Sequence, residues 1–195
     1  MLVNNGWLLT LSAEPNIGRG SDVLTSEKVK EFALDHGASL VGIASVDRFG
    51  GAPVGHGPED LVPGAKSVIS MAIRLPDSVV EWDDILKDSE IIEDEDVRLN
   101  VIQTHYYGRC GYQTMNNLLE QLGLRVTLFL DSHGNGTKRS RSMFFPATYA
   151  SDAPIMEKVP GFFAPFSHRH AAVRAGLGEF GYNNLVITPQ YGPRI

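Results

Sequence analysis

Residues 168–195 read HRHAAVRAGLGEFGYNNLVITPQYGPRI, with glycines at Gly176, Gly178 and Gly181. The spacing spells G-x-G-x-x-G, which in a dinucleotide-binding fold follows a strand and opens a helix. Here the order is reversed, because residues 170–175 predict a helix and residues 185–188 predict a strand. We therefore do not interpret these glycines as a Rossmann fingerprint.

The stretch instead predicts a helix, a glycine-rich elbow and a strand. Gly176 suits the left-handed position that ends a helix. Gly178 and Gly181 allow two interpretations. Backbone without side chains lets a large, flat ligand approach the amide groups closely. The same glycines are typical of an ordinary helix-to-strand turn with tight packing, which the spacing alone favours.

The composition is that of an ordinary globular chain: 195 residues, 43% hydrophobic and 21% charged, with a net charge of −6. The length predicts one α+β domain over residues 25–195, preceded by an irregular N-terminal arm over residues 1–24. An acidic chain lacks the basic face of a general nucleic-acid binder, so nucleic acid is not an expected partner. Residues 81–96 hold nine acidic residues against one lysine and predict an acidic mobile segment.

Cys110 is the only cysteine, which fits a reducing cytoplasm and excludes a disulfide within the chain. One thiolate also cannot hold a 4Fe-4S cluster, which takes four. Neither a membrane-spanning run of 18 apolar residues nor a signal peptide is expected. No His/Cys cluster has metal-ligand spacing, so we predict no metal ligands among the residues of the chain.

Helical and strand signals alternate along the chain. Thr25 is a predicted N-cap, and Gly37 a predicted helix end. Buried strands are expected at 40–46 and 67–75, with a short strand at 7–11. A long helix is predicted over 97–122 and closed by Gly123. Residues 124–130 are predicted as a strand that returns through 143–145 as a hairpin. The hairpin makes the sheet mixed or mostly antiparallel, and we predict a layered α+β fold with flanking helices.

Four stretches, in order, resemble the epoxyqueuosine reductase and reductive dehalogenase superfamily of cobalamin-dependent iron–sulfur proteins. Residues 172–185, AVRAGLGEFGYNNL, are similar to its Ala-x-Arg-Ala-Gly-Leu-Gly-Trp-x-Gly-Lys-Asn-x-Leu element. The other three are residues 32–46, residues 62–69 (VPGAKSVI) and residues 151–158 (SDAPIMEK). The resemblance implies a nitroreductase-like, cobalamin-binding domain without the C-terminal ferredoxin part of the family. This chain carries Glu179 and Tyr182 where the family usually has Trp and Lys.

On this resemblance the chain is part of a cobalamin-dependent reductase that acts on a small molecule. The cofactor-binding residues it implies lie in the elbow: Gly176, Leu177, Gly178, Gly181, Tyr182, Asn183 and Asn184. Electrons are expected from a ferredoxin-like partner or from 4Fe-4S clusters on a C-terminal module, since the matched region precedes the family's cysteine motifs. The substrate cannot be read from these residues.

A reductase of this kind needs a proton donor within hydrogen-bond reach of its substrate. The candidates are Asp152, Tyr149 and Tyr107. The family's acid is the Asp of Asp-Ser-Ala-Pro, whereas this chain has Ser151 followed by Asp152. A shift of one residue in an extended segment turns the side chain to the opposite face, so Tyr149 is an alternative donor.

Two other functions remain open from the sequence. One is a flavin-dependent, nitroreductase-like enzyme that binds FMN through Arg139, Arg141, Arg169 and Arg174. The other is a non-catalytic corrinoid-binding scaffold. The segment 131–136 matches the bare Asp-x-His-x-x-Gly spelling of histidine-on corrinoid proteins, but we interpret it as a hairpin connection. We therefore predict that cobalamin binds without a histidine on cobalt.

Overall fold

The computed structural model describes residues 6–9, 24–81, 94–101, 113–133, 142–143 and 166–195, with the backbone alone at 6–9 and 142–143. The helices are α1 (Ser26–Asp35), α2 (Pro58–Leu61), α3 (Asp77–Val80), α4 (Glu95–Val101), α5 (Met115–His133) and α6 (His168–Arg174), with one 3-10 turn at Val46–Phe49. The strands are β1 (Gly6–Leu9), β2 (Leu40–Ser45), β3 (Ser67–Ala72), β4 (Ser142–Met143), β5 (Glu179–Phe180) and β6 (Val186–Ile187).

The main sheet has four strands in the order β2-β3-β1-β4, and β5 and β6 form a separate hairpin. Every strand pair within the described ranges is antiparallel. The fold is therefore α+β with antiparallel sheets, as the sequence predicts. The strand predicted at 7–11 is present as β1, which pairs with both β3 and β4.

Strand β3 is buried on both faces, and its alternating side chains enter different cores. Ile69 and Met71 pack with α1 and α5 in one cluster. Val68 and Ala72 lie on the other face, where each joins a cluster that includes residues of α6. Because successive strand residues point to opposite faces, this alternation sets the sheet between two helical layers. The prediction of a fully buried strand at this position is confirmed.

Local signals place α1 and its neighbouring strand as expected. The Thr25 hydroxyl accepts a hydrogen bond from the Lys28 backbone N–H at 3.3 Å, which satisfies one of the free amides of the first turn. Gly37 follows the helix with φ 109, a conformation that favours glycine. Strand β2 then begins at Leu40 and pairs along its whole length with β3.

The prediction for residues 124–130 is wrong. They belong to α5, which continues through Gly123 and ends at His133, so the long helix does not close at Gly123 and no strand or hairpin begins there. Leu122, Val126 and Leu130 recur at helical spacing and are almost fully buried. A glycine within a helix costs about 1 kcal/mol relative to alanine. Burying each of these side chains contributes about 1.5–3 kcal/mol, so together they outweigh the cost of Gly123 within the helix.

None of the helices in the described ranges is long and apolar enough to cross a bilayer. The acidic segment lies mostly outside the described residues, which resume at Asp94. Helix α4 then begins at Glu95, where the Asp94 carboxylate accepts from the backbone N–H groups of Asp96 and Val97 at 3.0 Å each.

Candidate functional site: helix α6 and the hairpin β5–β6

Helix α6 ends in a geometry that fixes the elbow. Gly176 has φ 79, so the predicted left-handed glycine is confirmed. Its backbone N–H donates to Val173 O at 3.0 Å, and the Leu177 N–H donates to Ala172 O at 3.0 Å. These two bonds, together with the contact of Leu177 and Ala172 in one apolar cluster, form a Schellman motif. The chain therefore leaves α6 in one defined direction.

The other two elbow glycines lie in tight contacts within the protein, with backbone atoms at Gly178 and with side-chain atoms at Gly181. A Cβ atom at Gly178 would lie 2.3 Å from the Ile187 carbonyl oxygen, and one at Gly181 would lie 2.7 Å from Ile187 Cδ1. Glycine at both positions thus lets the returning strand β6 approach. Of the two sequence interpretations, tight packing accounts for these residues, and their contact with a ligand stays a prediction.

The elbow is seated directly on the main sheet through a third glycine. A Cβ at Gly42 of β2 would lie 2.4 Å from Ala175 O and 2.9 Å from Ala175 Cβ. Gly42 pairs with Ser70, which in turn pairs with Gly6. This row of small residues lets the end of α6 lie against the strands, so the elbow has little freedom to move.

The hairpin loop 181–185 is closed by hydrogen bonds and carries amide side chains. Gly181 N–H donates to Leu185 O at 2.7 Å, and Asn184 N–H donates to Gly181 O at 2.9 Å. Asn184 adopts φ 61, the left-handed region that asparagine tolerates. The Asn183 side-chain oxygen accepts from Leu185 N–H at 3.2 Å, which leaves the amide nitrogen of Asn183 for other partners. Tyr182 is fully exposed at the tip.

His170 and Ser167 form a pair that the sequence analysis missed. Ser167 is the N-cap of α6 and accepts from the His170 backbone N–H at 3.4 Å. Its hydroxyl also lies 2.7 Å from His170 Nδ1. The His170 ring meets Phe180 of the hairpin edge-on, with centroids 4.9 Å apart. The signal available in the sequence was the Ser-x-x-His spacing, which places the histidine above its own capping residue.

The electrostatic environment of His170 is positive. Burial lowers its pKa below the usual histidine value, and the neighbouring charges of Arg174 and Arg169 lower the pKa further. Arg169 also donates from Nη1 to Asn184 O at 2.9 Å, which ties α6 to the hairpin loop. A neutral His170 whose Nδ1 accepts from the Ser167 hydroxyl carries its proton on Nε2. The ring then offers a hydrogen-bond donor on the edge away from Ser167.

The exposed side chains of the loop carry hydrogen-bonding groups. The amides of Asn183 and Asn184 and the hydroxyl of Tyr182 could pair with primary amide groups such as those at the edge of a corrin ring. Leu177 contributes differently, because it is buried in the core and fixes the elbow. Of the predicted cofactor-binding residues, the loop members 182–184 have exposed side chains, and their contact with a cofactor stays a prediction.

The three predicted proton donors, Asp152, Tyr149 and Tyr107, lie outside the described residues, as do Cys110, Arg139 and Arg141. Their relation to the elbow stays a prediction. Within the described ranges, no group of three or more His, Cys, Asp or Glu side chains is arranged to hold a metal ion.

The segment 131–133 belongs to the last turn of α5, so the interpretation of residues 131–136 as a hairpin connection is wrong for these residues. His133 Nδ1 lies 2.8 Å from Phe129 O, and the ring packs against Phe129 with centroids 4.2 Å apart. The Nδ1 edge of His133 is therefore engaged by the backbone of its own helix.

Comparisons of this chain with protein-family models, with curated proteins and with solved structures found no match. The resemblance stated from the sequence therefore rests on its motifs alone.

Proposed function

We propose that this chain is the corrinoid-binding domain of an iron–sulfur oxidoreductase similar to the epoxyqueuosine reductases and reductive dehalogenases. The observation that carries the proposal is the hairpin loop 181–185. It is a polar edge closed by its own hydrogen bonds and held against the main sheet by α6. A nitroreductase-like arrangement of layers is part of the same proposal, supported by the antiparallel sheet that lies between two helical layers.

A fixed polar edge suits a large, rigid cofactor. Binding is stronger when the protein groups are ordered in advance, because less conformational freedom is lost on association. Asn183 and Asn184 project amides from such an edge, and each neutral hydrogen bond contributes about 0.5–1.5 kcal/mol net. Tyr182 adds an aromatic ring and a hydroxyl beside them.

When bound, cobalamin supplies the cobalt chemistry of the reduction, and the protein binds and orients it. Asp152, Tyr149 and Tyr107 are the proposed proton donors to the substrate. A ferredoxin-like partner or a C-terminal iron–sulfur module supplies electrons, because Cys110 is the only thiolate of these 195 residues. The substrate is a small molecule, and the net charge of −6 disfavours a transfer RNA.

The test is reconstitution of the purified chain with hydroxocobalamin under anaerobic conditions, followed by visible absorbance and equilibrium dialysis. We expect one corrinoid per chain and no stoichiometric iron. The test variant is the double substitution Asn183→Asp with Asn184→Gly. It keeps a side-chain oxygen at position 183 to accept from the Leu185 backbone N–H, and a residue at position 184 that tolerates the left-handed conformation, but it removes both amide donors. Loss of two hydrogen bonds of about 1 kcal/mol each predicts affinity about tenfold to thirtyfold weaker.

Asn117→Ala is the matched control, since Asn117 is exposed on α5. Unchanged affinity in the double variant would contradict the loop as binding edge. His133→Ala should leave the spectrum of bound cobalamin unchanged, and a shifted spectrum would overturn the prediction that no histidine binds cobalt.

The flavin alternative is favoured by one observation, the two arginines on α6 whose charges act on His170, one of which also bonds to the hairpin loop. Its test is the same dialysis with FMN, whose absorbance differs from that of cobalamin. Retention of stoichiometric FMN, with no retention of corrinoid, replaces the first proposal. Retention of corrinoid without turnover, in the presence of a ferredoxin-type reductant, indicates the non-catalytic scaffold.

A further inference from the structure

Helix α6 carries two arginines, Arg169 and Arg174, whose positive charges both act on the imidazole of His170. Arg174 follows His170 by one helical turn, so their side chains lie on the same face. Arg169 reaches from the neighbouring face to the hairpin through its bond to Asn184 O. In the described structure neither arginine is ion-paired with a carboxylate. Residues 166–195 hold three arginines against the single carboxylate of Glu179, although the whole chain is acidic.

His170 is held in place at the centre of this group. Ser167 engages Nδ1 from one side, and the Phe180 ring meets the imidazole from the hairpin side. The opposite nitrogen, Nε2, lies on the other edge of this exposed ring, away from the atom that Ser167 engages. Both arginines lower the pKa of His170 in addition to the effect of burial, so their fields converge on the imidazole.

The groups that act on His170 are cationic or neutral: beyond the effect of burial, Arg174 and Arg169 lower its pKa, Ser167 contacts Nδ1 and Phe180 meets the ring. Among residues 166–195, Glu179 is the one acidic side chain. Glu179 precedes Phe180 in β5, and alternation along a strand turns its side chain to the face opposite Phe180. An anion bound at the His170 ring would therefore be attracted by the positive charges of both arginines, and the Nε2–H of the neutral ring would offer it a hydrogen-bond donor.

We propose that His170 and Arg174, with Arg169 holding the hairpin loop beside them, form a subsite for a phosphate group, either monoester or diester. Guanidinium groups bind phosphate oxygens through charge-assisted hydrogen bonds, and the imidazole adds a donor. Which molecule carries the phosphate depends on the proposed function, because the two cofactors considered there carry different phosphate groups. A complete corrinoid presents the phosphodiester of its nucleotide loop, whereas FMN presents a phosphomonoester.

The first arm of the test uses inorganic phosphate alone and does not depend on any cofactor. The probe is proton NMR of the histidine ring, with His170→Gln identifying the His170 resonance. We expect phosphate to raise the His170 titration midpoint by about one unit relative to chloride at equal ionic strength, because a nearby opposite charge favours the protonated ring. Arg174→Gln should abolish the rise. Arg125→Gln, the same change on α5, should retain it.

The second arm identifies the source of the phosphate. Hydroxocobalamin is compared with cobinamide, the corrinoid that lacks the nucleotide loop and its phosphodiester, and with FMN. If the corrinoid is the ligand, Arg174→Gln weakens hydroxocobalamin about tenfold, the loss of one charge-assisted hydrogen bond, and leaves cobinamide unchanged. A loss confined to FMN supports the same subsite and assigns it to the flavin.

The outcomes separate this subsite from the proposed function. A phosphate-dependent rise without any corrinoid binding supports the subsite and overturns the proposed function. The subsite alone is overturned if the corrinoid binds but phosphate does not raise the His170 titration midpoint, and if Arg174→Gln changes corrinoid affinity no more than Arg125→Gln does. An equal rise in the wild type and in both arginine variants reflects general screening and also overturns it.

Discussion

The two faces of the main sheet are built from side chains of different size. On the face covered by α1 and α5, Ile69 and Met71 fill the space between strands and helices. On the face covered by α6, Gly42 and Ser70 lie at the same level of the sheet. The large residues keep their helices at the distance that side chains require. The small residues let α6 approach the strands until backbone atoms nearly touch.

This difference indicates that the face covered by α1 and α5 contributes most of the stability, whereas the face covered by α6 positions the hairpin loop 181–185. Burial of large apolar side chains is the main source of folding free energy. Close backbone approach contributes less buried area, but it fixes the direction in which α6 and the hairpin leave the sheet. We therefore expect changes on the first face to lower stability and changes on the second to alter ligand binding as well.

The largest expected effect is on the α1–α5 face. Ile69 is completely buried, and Ile69→Ala should lower the free energy of unfolding by about 2–5 kcal/mol through lost burial and the cavity left behind. Urea unfolding measures the change. Leu128→Ala, at an exposed position of α5, is the control and should change stability by no more than about 0.5 kcal/mol. Equal losses in the two variants would contradict the assignment of the core.

For Gly42→Ala we expect a smaller loss of stability than for Ile69→Ala, together with a loss of cofactor affinity. The new Cβ clashes with Ala175, so the end of α6 must move, at a cost of about 1–3 kcal/mol. Affinity for the reconstituted cofactor should fall in the same variant, measured by equilibrium dialysis. Gly51→Ala is matched to it, because a Cβ there meets nothing within 4 Å. If Gly42→Ala behaves like Gly51→Ala, the close approach of α6 does not position the loop.

Ser167→Ala removes the N-cap of α6 and should cost about 1 kcal/mol in thermal or urea unfolding. Ser167→Asp keeps an acceptor for the His170 backbone N–H and should restore most of the loss. The same pair tests the His170 contact, because only the alanine variant leaves Nδ1 without an oxygen partner. An unchanged His170 titration in Ser167→Ala would show that the hydroxyl does not orient the ring.

The smallest expected effect is a dependence of stability on pH. The pKa of His170 is lowered in the folded protein, so the unfolded chain takes up its proton first as the pH falls through the ordinary value of 6.5. Above that value both states are neutral and His170 contributes no pH dependence; below it, folding loses stability. His170→Gln should therefore flatten the decline between about pH 7 and pH 5, measured by urea unfolding. A steeper decline in the variant would contradict the sign of the shift.

The local elements of the fold were predictable because their signals lie within a few residues. Thr25 caps α1, and Gly176 takes the left-handed position after α6. The residues 124–130 were not predictable in the same way. Their apolar residues alternate, which is typical of a strand, yet Leu122, Val126 and Leu130 also follow helical spacing. Only the presence of α1 and the sheet opposite that face decides between the two periods.

The candidate site also has parts that the sequence indicated and parts that only the structure shows. The sequence indicated the elbow and its amide residues, because glycine and asparagine have recognisable backbone preferences. It did not indicate that Ser167 and Phe180 hold His170 from two sides, since Phe180 reaches the imidazole only after the chain has turned at Gly176.

The sequence by itself therefore determined the N-cap Thr25, the glycines Gly37 and Gly176 that follow helices, the strands β2 and β3, and the order of helix, elbow and strand at 168–188. These depend on backbone preferences and on side-chain spacing within one element. The tertiary structure alone decided the helical state of 124–130 and the reason for glycine at positions 42 and 178. It also decided the contacts that Arg169 and His170 make with the hairpin. Each of these features depends on contacts with residues that are distant in the chain, and the neighbouring sequence does not specify such contacts.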